Sequence, residues 1–296
     1  MATAQSSPQV LRIPSLSIRL PRQKTATRRL FAGQRLLQLG VGITLLWFTV
    51  AVLAPWIAPY NPLQADAALA KGAPSSAHLF GLDKYGRDIL SRVIYGSRYD
   101  LVIAVTVVAF ALVVGTLIGS ISGFLGGKID NGIMRVMDML LAFPSFVLAL
   151  VFVAVFSPTL MILVLALSIR FVPMYARLVR GEMFAEKVKE YAIAAQALGS
   201  SPKRLMLRHL LPNSLTPLIT QSTTNISWAI LNAAGLSFLG VGLQPPIPEW
   251  GVMISEGSPF IVSGQWWMSF FPGAALILMT AGFVLLGDGL SARTEK

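Results

Sequence analysis

Long apolar runs alternate with short, mostly basic segments along this chain, and their length decides what they can be. A helix that crosses about 30 Å of hydrocarbon needs about 20 mostly apolar residues. Six runs meet or approach that length: 36–57, 101–122, 134–156, 159–176, 217–239 and 268–286. The third carries Asp138 near one end and Pro144 inside, and the fourth is interrupted by Arg170 and Pro173. The fifth is the least hydrophobic, because Gln221, Ser222, Thr223, Thr224, Asn225 and Asn232 fall within it. Polar side chains are costly against lipid, so this run is expected to face protein or an aqueous pathway. The pattern predicts an all-α polytopic membrane protein with six transmembrane helices. Arg170, Gln221, Asn225 and Asn232 are its candidates for a translocation pathway.

Composition strengthens this reading. Of 296 residues, 54% are hydrophobic and 12% charged, against about 25% charged in an ordinary soluble domain. The net charge of +11 does not point to nucleic acid, because the basic residues are divided among segments between apolar runs. It does orient the chain, since cytoplasmic loops carry the excess of Lys and Arg. With six spans, 18 basic residues fall on the side of the N-terminus and five on the other, all five between 58 and 100. Both termini are therefore expected in the cytoplasm. The division that follows is a basic arm over 1–35, a first helix over 36–57, an external loop over 58–100, a core over 101–290 and a tail over 291–296. Residues 1–30 are poor in apolar anchors and are expected to form a mobile arm attracted to anionic headgroups. A secretory leader is the alternative for the first run, but 22 residues exceed the roughly 7–15 of a leader's core and Pro55 follows the would-be cut. A retained helix is expected.

Candidate chemistry is sparse. The chain has no cysteine and two histidines, which leaves no thiolate site and little for a transition metal. The nearest approach to a phosphate loop, Gly126-Gly127-Lys128, has Ser122 in place of its first glycine and Ile129 in place of the magnesium-binding hydroxyl. No ATP, metal or other cofactor is expected on this chain, and no catalytic residue set is visible. Asp138 and Asp288 lie near the ends of their runs, poorly placed for a proton relay.

The segment 177–215 is long for a connector and strongly patterned. The stretch from Glu190 through Ala194 and Ala195 favours helix, and Gly199 suits a left-handed stop. Ser201 as N-cap with Pro202 at the first helical position opens a second short helix, carrying Arg208, His209 and Leu211, which Pro212 is expected to end. The expected product is helix, tight turn, helix. It serves either as an amphipathic element on the membrane surface or as a rigid lever for another protein.

From Glu190 to Pro212 this segment resembles the "EAA" coupling loop of ABC-importer permeases. Ala194, Ala195 and Gly199 fall in its register, and Leu211-Pro212 follow at the expected separation. Ile193 stands where the signature has Glu and His209 where it has an aliphatic residue; Glu190 is the candidate for the missing charge. The wider resemblance is to the second permease subunit of the dipeptide, oligopeptide and nickel importers. It extends through His78 to Arg92, Met134 to Pro144, Tyr175 to Gly181, Leu236 to Gly240, Pro248-Glu249-Trp250-Gly251 and Leu286 to Leu290. Trp250, Trp266 and Trp267 also read as interfacial anchors.

The resemblance implies a type I ABC-importer permease (MetI-like) fold in the bacterial cytoplasmic (inner) membrane. It implies three kinds of partner besides the lipid bilayer: a second homologous permease subunit, two cytoplasmic ATPase subunits that bind ATP and magnesium, and an external solute-binding protein. It assigns ATPase coupling to Glu190, Ala194, Ala195, Gly199, Arg208, His209, Leu211 and Pro212. The implied cargo is a di- or oligopeptide, with nickel or glutathione-type substrates as alternatives on the same importer. A stand-alone channel or secondary carrier is the rival from a different class.

Overall fold

The computed structural model describes residues 24–156 and 159–294, and among these every regular element is helical. In chain order they are α1 (Lys24–Ile57), α2 (Ile89–Leu125), α3 (Gly127–Ala142), α4 (Ser145–Val155), α5 (Leu160–Lys187), α6 (Glu190–Ala197), α7 (Pro202–Arg204), α8 (Leu211–Asn213), α9 (Thr216–Phe238), α10 (Trp250–Gly257) and α11 (Trp267–Thr294). A π-helical turn, Leu205–Leu210, joins α7 to α8. Most of the expected arm, residues 1–23, lies outside the described residues; Lys24 to Arg35 belong to α1.

Four helical stretches are long and apolar enough to cross a membrane among the described residues: Gln34–Ile57, Ile89–Leu125, Leu160–Lys187 and Trp267–Ala292. The third expected span is corrected. Instead of one helix over 134–156 there are two, α3 and α4, bent by 88°. The physical reason lies in Phe143-Pro144. A residue before proline is pushed out of the α region, and Phe143 is extended at φ −82°, ψ 139°. The α3–α4 pair makes a fifth span only if its two limbs are taken together. α9 has 23 residues, but its polar side chains keep it from reading as lipid-facing. Thr223, Asn225 and Ser227 are buried, and the Ser227 hydroxyl donates to the Thr280 carbonyl of α11.

Two boundaries also move. α2 begins at Ile89 rather than 101, because Asp88 caps it by accepting from the Ser91 amide at 2.8 Å. α5 runs past 176 to Lys187, continuing through Pro173.

The frame is set by α2 and α5. Gly115, Gly119 and Gly123 recur every four residues along one stripe of α2, and α5 lies directly on it. A Cβ at Gly115 would fall 2.5 Å from the Tyr175 Cβ, at Gly119 2.4 Å from the Ala176 carbonyl oxygen, and at Gly123 2.8 Å from the Met183 Cβ. Helices in lipid associate through van der Waals contact rather than hydrophobic expulsion, which favours small residues at such a seam. α1 lies on α11 in the same manner, with a Cβ at Gly40 falling 2.3 Å from the Leu286 nitrogen.

The segment between α1 and α2 folds into a cap over one end of the bundle. Arg87 and Arg92, both nearly fully buried, share Asp83 and Glu256 in one ion-pair network, with Arg87 at 2.5 Å from Asp83 and 2.9 Å from Glu256. The network joins the loop to α10. Phe80 stacks on Phe271 at 3.9 Å between centroids, and the Trp267 indole donates to the Leu82 carbonyl. Trp250 corrects the expectation of an interfacial anchor. It is fully buried, its indole donating to the Val93 carbonyl at 3.0 Å and its ring meeting Trp47 edge-on at 5.0 Å. Trp267 is likewise buried, and only Trp266 of the three is exposed.

Beside Trp250 two acids are wholly buried. Glu249 caps α10 by accepting from the Val252 amide at 2.8 Å, and Asp100 accepts from the Trp250 amide at 3.3 Å. Asp100 Oδ1 and Glu249 Oε1 are buried without a donor, and the two carboxyl groups are within hydrogen-bonding reach of each other. Burial pushes the Glu249 carboxyl up, against the pull of the backbone amides that it caps.

Two predictions follow from this packing. Gly119→Leu forces backbone apart and should abolish a detergent-stable protein, while Gly132→Ala, where a Cβ meets nothing within 4 Å, should leave the thermal midpoint within a degree or two; equal stability of both variants would contradict the seam. Glu249→Gln retains the cap and supplies the missing donor to Asp100. A carboxyl whose folded value is raised makes the native state lose stability as pH rises from about 4.5 through that value. The variant should therefore match the wild type near pH 5 and equal or exceed it at pH 8 in thermal unfolding.

Candidate coupling loop and cavity

The segment after α5 folds as helix, turn and helix. Ala192 and Ala195 turn inward on α6, while Glu190, Ile193 and Ala194 are exposed. Gly199 stops α6 at φ +80°. The Ser200 amide donates to the Ala195 carbonyl at 3.0 Å and the Gly199 amide to the Gln196 carbonyl at 2.9 Å, the paired bonds of a Schellman stop. Ser201 then caps the next helix by accepting from the Arg204 amide, with Pro202 at its first position.

Pro212 does not end that helix, contrary to expectation. The chain widens into the π turn that carries Arg208 and His209, and the Leu211 amide reaches back five residues to the Met206 carbonyl. Pro212, which has no amide to donate, is thereby carried within helix to Asn213. Leu205 and Leu210 are buried beneath the loop, Leu211 is half-buried, and Arg208 and Pro212 are exposed.

The root of the loop is locked. Glu186, buried at the end of α5, accepts from the Lys189 ammonium at 2.7 Å and the Tyr191 hydroxyl at 2.5 Å. Burial and this bond push the Tyr191 phenol up to about 12, so it stays neutral. Lys187 donates to the carbonyls of Gly123 and Phe124 at the end of α2. In contrast to this fixed root, the outward surface is apolar: Leu198 is 88% exposed and Val188 74%, with Ile193 and Leu207 also exposed. Exposed apolar side chains gathered on a polar loop mark an interaction surface.

A second feature is a cavity of about 690 Å³ where the α3–α4 bend faces α5 and α9. Arg170 and Gln221 line it, together with Arg177, Phe143, Met174 and Leu148. Arg170 lies over the Trp228 ring at 5.4 Å, a cation–π contact, and Arg177 pairs with Asp138 of α3. The structure divides the other two pathway candidates from these. Asn225 is buried behind Gln221, accepting from its amide at 3.0 Å. Asn232 is not part of the lining; its amide donates to the Trp228 carbonyl one turn back.

Residues 115–296 match the family described as the binding-protein-dependent transport system inner membrane component. The chain belongs to this family. Relatives include a protein named dipeptide transport system permease protein DppC from Escherichia coli, 44% identical, the match covering 81% of this chain and 82% of the relative. Another from that organism, named probable D,D-dipeptide transport system permease protein DdpC, is 42% identical over 84% and 83% of the two chains. A dipeptide transport system permease protein DppC from Alkalihalophilus pseudofirmus is 40% identical over 85% and 82%. The protein is thus a multi-pass membrane permease component, all-helical as its apolar runs required.

Sequence reading missed two parts of this permease. Arg177 was counted among loop charges, because the apolar run ends at 176; the helix carries it on to the cavity. Tyr191 and Glu186 gave no motif, since their meeting depends on the turn at Val188. Gly199 generates the sharpest prediction. Its Cβ site is open, so only backbone strain opposes a side chain there, about 1–2 kcal/mol for an ordinary residue in this conformation. Gly199→Val should leave membrane insertion and thermal stability nearly unchanged and reduce transport by at least tenfold; normal transport would show that the turn has no role.

Proposed function

We propose that this chain is the second permease subunit of an ATP-driven peptide importer, crossing the bacterial inner membrane six times with both termini in the cytoplasm. α9 and the bent α3–α4 pair complete the spans that hydropathy alone leaves open, and the 18 to 5 division of basic residues supports the orientation. Its partners are a homologous permease, two ATPase subunits and an external binding protein. ATP is hydrolysed in the ATPase subunits, and this chain binds no cofactor of its own.

The observation that carries this reading is the helix–turn–helix from Glu190 to Asn213, fixed at its root and apolar on its outward surface. Such an element suits insertion into a partner's cleft. Closing of the ATPase pair would move it inward, and Lys187 and Glu186 would pass that movement to α5 and α2. Glu190, Ala194, Ala195, Gly199, Arg208, His209, Leu211 and Pro212 are the coupling residues. Peptide cargo is supported by the names of the relatives, two of which are dipeptide permeases.

The test is reconstitution. Co-expressed with the homologous permease and ATPase subunits of its own genome, the chain should copurify with both. In proteoliposomes, dipeptide uptake should require ATP and the binding protein. Uptake that ignores ATP and collapses with a protonophore would favour a stand-alone carrier; ATP-driven uptake of nickel or glutathione without dipeptide would move the substrate.

A further inference from the structure

The cavity at the α3–α4 bend has an unusual charge for a space inside a helical membrane protein. Among its lining residues the charged groups are two guanidiniums, Arg170 and Arg177, and the polar remainder includes the Gln221 amide. Arg170 is half-buried and Arg177 exposed, and a cation set among transmembrane helices is retained where it serves a pathway or a partner. Seven residues separate the two arginines on α5, which is two helical turns, so they share a face about 10 Å apart along the axis.

The two are held differently. Arg170 lies between aromatic faces, at 5.4 Å from the Trp228 ring and 5.9 Å from the Phe171 ring, which orient the guanidinium. Arg177 is paired with Asp138, but both side chains are about half exposed, at 49% and 59%. A pair open to water is weakly held, so an entering anion can replace Asp138 at little cost. Arg is suited to that exchange, since its planar fork takes a carboxylate through two parallel hydrogen bonds. The volume of about 690 Å³ lies within the range of small-molecule sites. Phe143, Met174 and Leu148 supply apolar wall for side chains of any shape.

We propose that this cavity is a carboxylate subsite of the pathway, in which Arg170 receives the C-terminal carboxylate of a peptide and Arg177 takes it next by exchange with Asp138. The inference rests on the peptide reading above and adds to it a specificity rule. A substrate with a free carboxylate is drawn in, and a bare divalent cation gains nothing from the guanidiniums that line the space.

Two measurements test it on the reconstituted complex. The first is initial ATP-driven uptake of L-Ala-L-Ala. Arg170→Gln and Arg177→Gln should each slow it about tenfold or more, the usual consequence of losing a charged hydrogen bond. Arg170→Lys should recover most of the rate, and stimulation of the ATPase by loaded binding protein should persist in every variant. The second measurement omits the binding protein, whose own selectivity would otherwise enter. Saturation-transfer NMR on the purified membrane complex should detect L-Ala-L-Ala and not its C-terminal amide, and Arg170→Gln should abolish the signal. Uptake at the wild-type rate in both glutamine variants, or equal NMR contact with acid and amide, would overturn the subsite while leaving the peptide reading intact. A wild-type complex that moves no peptide would overturn that reading, and the subsite with it.

Discussion

The contact on which the rest of the molecule depends is backbone against backbone, along the stripe of Gly115, Gly119 and Gly123. Lipid offers helices no hydrophobic reason to meet, so two of them stay together only where they approach closely enough for dispersion to accumulate. Three absent side chains on α2 allow this, and Tyr175, Val179 and Met183 of α5 fill the space around them. Because α5 is held there, its end at Lys187 has a fixed position, and the helix–turn–helix from Glu190 to Asn213 begins from a defined point. Because α2 is held there, its other end presents Arg92 and Asp100 to α10.

The cavity depends on a second constraint, the break at Pro144. A straight third helix would place its apolar face along α5 for its whole length. The 88° bend changes the direction of α4, which stays packed against α5, and the angle between the two limbs encloses the space that Arg170 and Gln221 line. On the α3 side of the break, ion pairs join α3 to α5, with Asp130 held by Arg180 and by the Ser122 hydroxyl. The cavity wall is therefore tied to the same helix that leads into the Glu190–Asn213 helix–turn–helix.

What the sequence made legible follows the range of the forces involved. Hydropathy is a sum over about 20 neighbouring residues, so the apolar runs were visible. The turn at Gly199 and the cap at Ser201 were visible because both are decided within four residues. Boundaries were less so. Asp88 starts α2 in polar sequence that hydropathy cannot see, and Arg177 lies in helix beyond the end of its apolar run. Trp250 was misread because a tryptophan near a polar segment suits an interface, whereas here its burial is decided by Val93 and Trp47, both distant in sequence. The departure of Pro212 from its expected role as a stop came from the π turn, whose register no local signal marks. The α2 stripe was present as a spacing of four, yet which helix it would meet was a tertiary fact.

The length of α2 has a mechanical consequence. At 37 residues it is about 55 Å long, and each end is fastened to something different. At one end Lys187 holds its last carbonyls beside the root of the helix–turn–helix; at the other, Arg92 and Asp100 join it to the cap. A stiff rod fastened in this way converts a small angle at one end into a large displacement at the other: a tilt of about 5° moves the far tip by about 5 Å over that length. The two faces of the membrane are thus connected by a single covalent element. An event at one end of the rod and the shape of the surface at the other become one mechanical variable, without a chain of intermediate contacts to carry the signal between them.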